Sequence, residues 1–230
     1  MTLSAENLSR RYMRKTGQSN HFFAVRNVSL TLCPGEVTVL MGRSGSGKTT
    51  LLHMLSGLLT PTEGRVLLDG QDLYAMNDAA LSRLRNQAMA VVPQGRSAVD
   101  ALTVLENVLL PGAMYGGAPD AGAARRWLEA LDIASLADAR PAELSGGELR
   151  RMAIARALAQ NSGILLADEP TGDLDDENTA RVLNVLREAA KGQGRAVFIV
   201  SHDDAAIRFA DRLFRMDAGQ VLNESSPSER

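Results

Sequence analysis

An α/β fold organised around a parallel sheet is the class this sequence predicts, and three observations predict it. Apolar runs stop abruptly at polar or glycine-rich segments: Glu36 to Met41, rich in β-branched residues, before Gly42, and Ile164 to Ala167 before Asp168. Continuous runs of this kind belong to strands covered on both faces. Second, Gly163 to Ala167 and Arg195 to Val200 are joined by a helical pattern from Asp176 to Lys191, a βαβ unit whose strands should lie parallel in one sheet. Third, strand patterns vanish between Val104 and Ala159, where only helical spacing is found.

The elements follow in order. Val25 to Leu32 and Glu36 to Met41 read as strands, with Pro34-Gly35 turning the chain between them. Gly64 to Leu68 is a short strand, and Asp69-Gly70 is the turn that leaves it. Asp78 to Gln87 has helical spacing, and Ala88 to Val92 is a buried strand stopped by Pro93. Helices then cover Val104 to Leu110, Ala121 to Leu131 and Gly146 to Ala159, separated by Gly/Pro-rich links. One domain spans 1–230: segments 1–94 and 160–223 form an α/β core, 95–159 is a helical insert, and 224–230 is a polar tail, frayed from Ser225 onward. There is no internal repeat.

Composition narrows the function. A chain of 230 residues with 45% hydrophobic content supports a sizeable core. Net charge is -2, from 25 basic and 27 acidic residues, so no global field favours nucleic acid. The basic clusters Arg10-Arg11, Arg14-Lys15, Arg125-Arg126 and Arg150-Arg151 read as solvated faces. Cys33 excludes an intramolecular disulfide and, just before Pro34-Gly35, reads as a small buried hydrophobe. Trp127 and the methionines read as packing. No run approaches the length of a membrane span, and Met1 to Arg14 lack the apolar block of a secretory signal, so a cytoplasmic chain is expected.

The most specific motif is Gly42-Arg43-Ser44-Gly45-Ser46-Gly47-Lys48-Thr49, which fits G-x-x-x-x-G-K-[ST]. It sits between a predicted strand and a predicted helix that opens at Thr50. Glycines there let successive N–H groups point inward around a polyphosphate, and the helix N-terminus adds the positive end of its dipole. Lys48 would reach the β- and γ-phosphates, and the Thr49 hydroxyl would ligate Mg²⁺. The motif points to a nucleoside triphosphate.

Downstream, Ile164 to Glu169 is an apolar strand ending in two acids, at the edge where ligands of parallel sheets bind. Asp168 suits Mg²⁺, directly or through water, and Glu169 suits the polarisation of an attacking water. Pro170 biases Glu169 toward an extended backbone. Leu144-Ser145-Gly146-Gly147-Glu148 is a capping box, with Ser145 as N-cap and Glu148 at N3. Gly146-Gly147 in that first turn weakens the helix but admits a phosphate close to bare N–H groups. Gln94 and His202 follow predicted strands and could contact the attacking water, the Mg²⁺ sphere or a γ-phosphate.

Taken in order, the phosphate loop, Gln94, L-S-G-G-E at 144–148, L-L-A-D-E-P at 165–170, G-D-L-D at 172–175 and His202 resemble the motifs of the ATP-binding cassette (ABC) ATPases. The resemblance covers nearly the whole chain. It implies a P-loop NTPase core, an N-terminal antiparallel β subdomain and an inserted α-helical subdomain. It implies ATP and Mg²⁺ as cofactors, with ATP held by Tyr12, Gly42, Arg43, Ser44, Gly45, Ser46, Gly47, Lys48, Thr49 and Thr50. Thr49, Gln94 and Asp168 would serve the metal. Glu169 would be the general base, with Gln94 and His202 sensing the γ-phosphate. Ser145, Gly146, Gly147, Glu148 and Asp175 would meet the ATP of a second copy in a head-to-tail homodimer formed on ATP binding. Tyr12 would stack on adenine, with Phe22 and Phe23 as rivals.

Within the family, A-D-E-P-T-G-x-L-D, the run from Leu52 to Gly64, and L-E-N-V at 105–108 look like the bacterial lipoprotein-release, macrolide-export and cell-division branch. That branch drives a separate integral-membrane permease by mechanotransmission, from the inner face of the membrane and without nucleic acid. The alternative is a signalling or structural clamp on a membrane partner. Two features depart from the pattern. Gly95 to Val99 lacks the bulky aromatic and leucine residues common there, and Asp173 stands where Asn is more usual.

Overall fold

A computed structural model describes residues 1–13 and 21–225, so the Arg14-Lys15 cluster and 226–230 of the expected tail lie outside the described residues. The first half runs β1 (Leu3–Met13), β2 (His21–Leu32), β3 (Val37–Met41), α1 (Lys48–Leu55), β4 (Glu63–Leu68), β5 (Gln71–Asp72), α2 (Asp78–Ala88) and β6 (Met89–Val92). The second half runs α3 (Val104–Ala113), α4 (Ala121–Ala130), α5 (Gly146–Ala159), β7 (Ile164–Asp168), α6 (Asp176–Lys191), β8 (Ala196–Ser201), β9 (Arg212–Asp217) and β10 (Gln220–Ser225).

Two sheets result. One is antiparallel, in the order β2-β1-β4-β5; the other has the order β10-β9-β3-β8-β7-β6. In the second, β6, β7, β8, β3 and β9 are mutually parallel, and β10 returns antiparallel along β9. The expected βαβ unit is present, since β7 and β8 pair in parallel. Strand alternation splits the parallel sheet between two cores. Val39 and Met41 face a cluster with α3 to α6, whereas Leu40 faces a cluster with α1, α2 and the antiparallel sheet. Both faces are dry, which is why these strands read as unbroken apolar runs. Fully buried Phe198 and Leu40 each contribute roughly 1.5–3 kcal/mol of transfer free energy.

Four strands, β1, β5, β9 and β10, had no counterpart among the sequence expectations, β5 being only two residues long. In β1, only Leu3, Ala5, Leu8 and Ser9 are buried, and register shifts at Ala5/Leu8 and Leu8/Arg10 break the alternation that would betray a strand. β9 and β10 form a hairpin whose turn residues Ala218 and Gly219 both have positive φ, 44° and 83°. Strand β10 also takes in Ser225, the residue expected to begin the frayed tail. Cys33 is only partly buried, a correction to its reading as a core hydrophobe, because it lies in the link between the two sheets. Trp127 is buried against α5 in the helical cluster. Among the described residues no helix is long and apolar enough to cross a membrane.

Candidate functional site

The register of the parallel sheet places four strand ends in one row. Met41 pairs with Ser201, Asp168 with Val200, and Val92 with Ala167. The residues that follow each strand therefore emerge side by side: the phosphate loop after β3, His202 after β8, Glu169 after β7 and Gln94 after β6. They border a cleft of about 1040 Å³, lined also by Tyr12, Phe22, Phe23, Arg43, Ser44, Gly45, Gly47, Thr49 and Thr50.

The loop owes its path to glycine at two points. A Cβ on Gly47 would stand 2.0 Å from the Ala24 carbonyl oxygen, at φ +106°, and one on Gly42 would stand 2.4 Å from that of Met216. Gly47 is the N-cap of α1 and no side chain caps that helix, so its first N–H groups remain open toward the cleft. Lys48 is buried and donates to the carbonyl oxygens of Gly42 (2.7 Å) and Arg43 (3.1 Å). Two of its three donors are thus held by its own loop, leaving one for a ligand. Tyr12 stacks on Phe22 with ring centroids 5.7 Å apart, and the Arg10 guanidinium lies over the Tyr12 ring at 5.0 Å. Phe22 and Phe23 are 39% and 38% exposed, and all three candidate aromatics for a base line the cleft.

Asp168 is 1% exposed, and neither carboxylate oxygen has a hydrogen-bond partner of normal geometry. Burial pushes its pKa up; the nearby Thr49 hydroxyl pulls the other way, while Glu169 adds to the rise. A buried carboxyl with open lone pairs beside Thr49 fits a hard cation. Among the described residues no group of three His, Cys, Asp or Glu could hold a metal, so a cation here would draw further ligands from phosphate.

Glu169 is 8% exposed. Its Oε2 lies 2.9 Å from Nδ1 of His202 and accepts from the Ser201 hydroxyl at 3.4 Å; Oε1 lies 3.9 Å from the Lys48 ammonium. The backbone corrects one expectation. Glu169 has φ 50°, in the left-handed region and not the extended conformation that Pro170 favours. Its N–H donates to Val200 at 2.8 Å and its carbonyl accepts from Gly172 at 3.1 Å, and this pair of bonds holds the turn. A non-glycine residue so held is strained by roughly 1–3 kcal/mol.

The L-S-G-G-E segment and Asp175 do not line this cleft. Both cap helices. Ser145 and Glu148 form the expected capping box, with the Ser145 N–H and hydroxyl each donating to Glu148 Oε2 at 2.7 Å. Those bonds hold the Glu148 carboxyl below the ordinary carboxylate range. Asp175 caps α6 and accepts from Asn178, to which Arg151 of α5 donates, so the two helix starts are tied together. The cluster Arg150-Arg151 is thus no solvated face: Arg151 is 9% exposed, and Arg150 donates to the carbonyls of Pro93 and Gln94.

Sequence reasoning missed three contributors. Ser201 carries the bond to Glu169. The Ala218-Gly219 turn lines the cleft, and Gly219 N–H donates to the Ser46 carbonyl at 2.9 Å. Arg150 holds the chain after β6. Only the turn had a local signal, the Asp217-Ala218-Gly219 sequence.

A glycine-built phosphate loop aligned with buried acids at parallel strand ends defines a P-loop nucleoside-triphosphatase. Comparison with known proteins narrows the class. Residues 25–172 match the family model for the ABC transporter. The fold is similar to the dimeric bacterial ABC transporter cassette MJ0796, with 35% identity, 98% of each chain covered and a TM-score of 0.90. It is equally similar to a post-hydrolysis dimer of that cassette bound to ADP and Pi, with 34% identity, 98% of each chain and 0.90. A nucleotide-free ATP-binding cassette from an ABC transporter gives 28% identity over 98% of this chain and 92% of that one, with 0.79. The chain belongs to the ABC transporter family, as an ATPase cassette.

Proposed function

We propose that this chain is the Mg-ATP-hydrolysing subunit of an ABC transporter, and that ATP-driven head-to-tail dimerisation moves a separate membrane permease. The observation that carries this reading is the alignment of Gln94, Glu169 and His202 with the phosphate loop around one cleft, with Asp168 buried at the end of β7 in the same row of strand ends. The triphosphate lies along the open N–H groups at the start of α1, with Lys48 on its β- and γ-phosphates and an aromatic, Tyr12 foremost, against adenine. Thr49, Asp168 and Gln94 serve Mg²⁺, which would neutralise charge on the phosphate oxygens. Glu169 polarises the attacking water, oriented by its bond to His202 and by Gln94. No nucleic-acid role is proposed: of the basic clusters, Arg150-Arg151 is committed to carbonyl and amide partners.

Ser145, Gly146, Gly147, Glu148 and Asp175 stand outside their own chain's cleft, which supports their role on the ATP of a second copy. The division into core (1–94, 160–223), helical insert (95–159) and tail fits consecutive α3, α4 and α5 between β6 and β7. The chain works at the cytoplasmic face, held to the membrane through the permease. The export or mechanotransmission branch is favoured by the Leu52–Gly64 and 105–108 motifs, and a non-transporting signalling clamp is the second reading. Phosphate release from Mg-ATP by the purified chain, lost in Lys48→Ala, is the test. A chain that binds no ATP, or a Lys48→Ala variant at the parental rate, would overturn the reading.

A further inference from the structure

Segment 93–103, between β6 and α3, contains no regular secondary structure, yet its carbonyls are occupied by side chains of the helices that follow. Arg150 of α5 forks across two of them, with Nη1 to Pro93 (2.6 Å) and Nη2 to Gln94 (2.7 Å). Arg156, two turns on, donates to the Ser97 carbonyl at 2.6 Å. Asn107, fully buried in α3, donates to the carbonyls of Val99 (3.0 Å) and Leu102 (3.2 Å). Backbone bonds that a ladder would make are made instead to the helical insert.

We propose that Arg150 is a positioning residue for hydrolysis: by gripping the Gln94 carbonyl, it makes the Gln94 side chain follow α5, whose first turn carries Ser145 to Gly147. This deepens the proposed function and rests on it. The geometry gives the link two ends. Gln94 lines both the large cleft and a second cavity of about 160 Å³, and that cavity is also lined by Gly146, Arg150 and Asp173. A Cβ on Gly172 would stand 3.7 Å from Arg150 Nη2, so the guanidinium also abuts the turn that follows Glu169. Burial lowers the Arg150 pKa, against Asp173, Asp168 and Glu169, which favour its charged form. A planar fork across two adjacent carbonyls fixes direction as well as distance, which a lysine cannot reproduce. Contact of α5 with a second copy's phosphate would thereby be reported to Gln94 of its own chain.

The test is steady-state ATP hydrolysis by full-length Arg150→Met, Arg150→Lys, Gln94→Ala and the double variant Gln94→Ala/Arg150→Met, with melting temperatures measured beside the rates. Arg150→Met keeps the stem and helix propensity while removing every donor. It should lower kcat by ~10- to 100-fold, the cost of a displaced catalytic group, with KM within about 2-fold of the parent. Arg150→Lys should fall with it. The double variant should turn over no more slowly than Gln94→Ala, because the two residues act as one unit. Multiplicative losses in the double variant, or Arg150→Lys at the parental rate, would overturn positioning while leaving the ATPase reading intact. A parent without ATP turnover would overturn both.

Discussion

Nδ1 of His202 stands 2.9 Å from Oε2 of Glu169. With Glu169 ionised, its oxygens only accept, so Nδ1 of His202 carries the hydrogen and donates it. The other ring nitrogen is then left for whatever occupies the cleft. A carboxylate held in this way, on a strained backbone and 8% exposed, is suited to one orientation only.

Glu169→Gln should therefore retain ATP binding and lose turnover by ~10²-fold or more, the scale of a removed general base. Phosphate release and nucleotide titration on the same preparation measure the two separately. Parental turnover would remove Glu169 from the role.

Light scattering on Glu169→Gln with Mg-ATP should show the mass of a dimer, since the L-S-G-G-E helix start needs a phosphate its own cleft does not place there. Adding Ser145→Arg should restore the monomer by putting bulk at the helix end. Normal dimerisation of the Ser145→Arg protein would leave the capping box as the motif's whole purpose.

Asp168 yields a prediction about pH. Burial raises its folded pKa above the unfolded value, so folded protein binds the proton more tightly. Its ionised form is then a destabilising contribution, absent below the ordinary carboxylate range and complete once pH passes the raised folded value. Asp168→Asn should melt higher than the parent at neutral pH without nucleotide, by about 2–4 °C for each kcal/mol relieved. The difference should shrink as the pH is lowered into the carboxylate range. The same variant should lose the Mg²⁺ dependence of ATP binding. An Asn variant that melts lower at neutral pH would show that Asp168 is well paired.

Asn107 should matter to stability more than its place in a helix suggests. Asn107→Leu leaves the carbonyls of Val99 and Leu102 without their donor, at roughly 1–3 kcal/mol for a buried group left unsatisfied. Urea unfolding should show a lower midpoint with an unchanged slope. A variant as stable as the parent would mean that water replaces the amide.

Val99 is 40% exposed on that same pinned segment, and Leu102 follows it. Val99→Asp or Leu102→Asp should leave the isolated ATPase near its parental rate and prevent capture of the permease. Retained capture and activity in cells would show that neither residue meets the permease.

Much of this arrangement was legible locally. Helices α5 and α6 begin and end at the expected residues, because their caps, Ser145 and Asp175, act within one turn of sequence. Strands β3, β7 and β8 were visible because burial on both faces leaves an unbroken apolar run. β1 and β9 were not, since their alternation is interrupted or carries charged residues, such as Arg212 at a partly exposed position and Arg215 at an exposed one.

By itself, the sequence determined the phosphate loop, the acids that end β7 and the order of motifs along the chain. Those depend on residue type at short spacing. Tertiary structure alone decided the strand order that puts β3 between β8 and β9, and thus which strand ends share a cleft. It also decided the left-handed turn at Glu169, the hold of Lys48 on its own loop, and the reach of Arg150 to carbonyls 56 and 57 residues away. Each of these is set by a hydrogen bond or a steric limit between distant segments, and neither partner carries a local mark of the other.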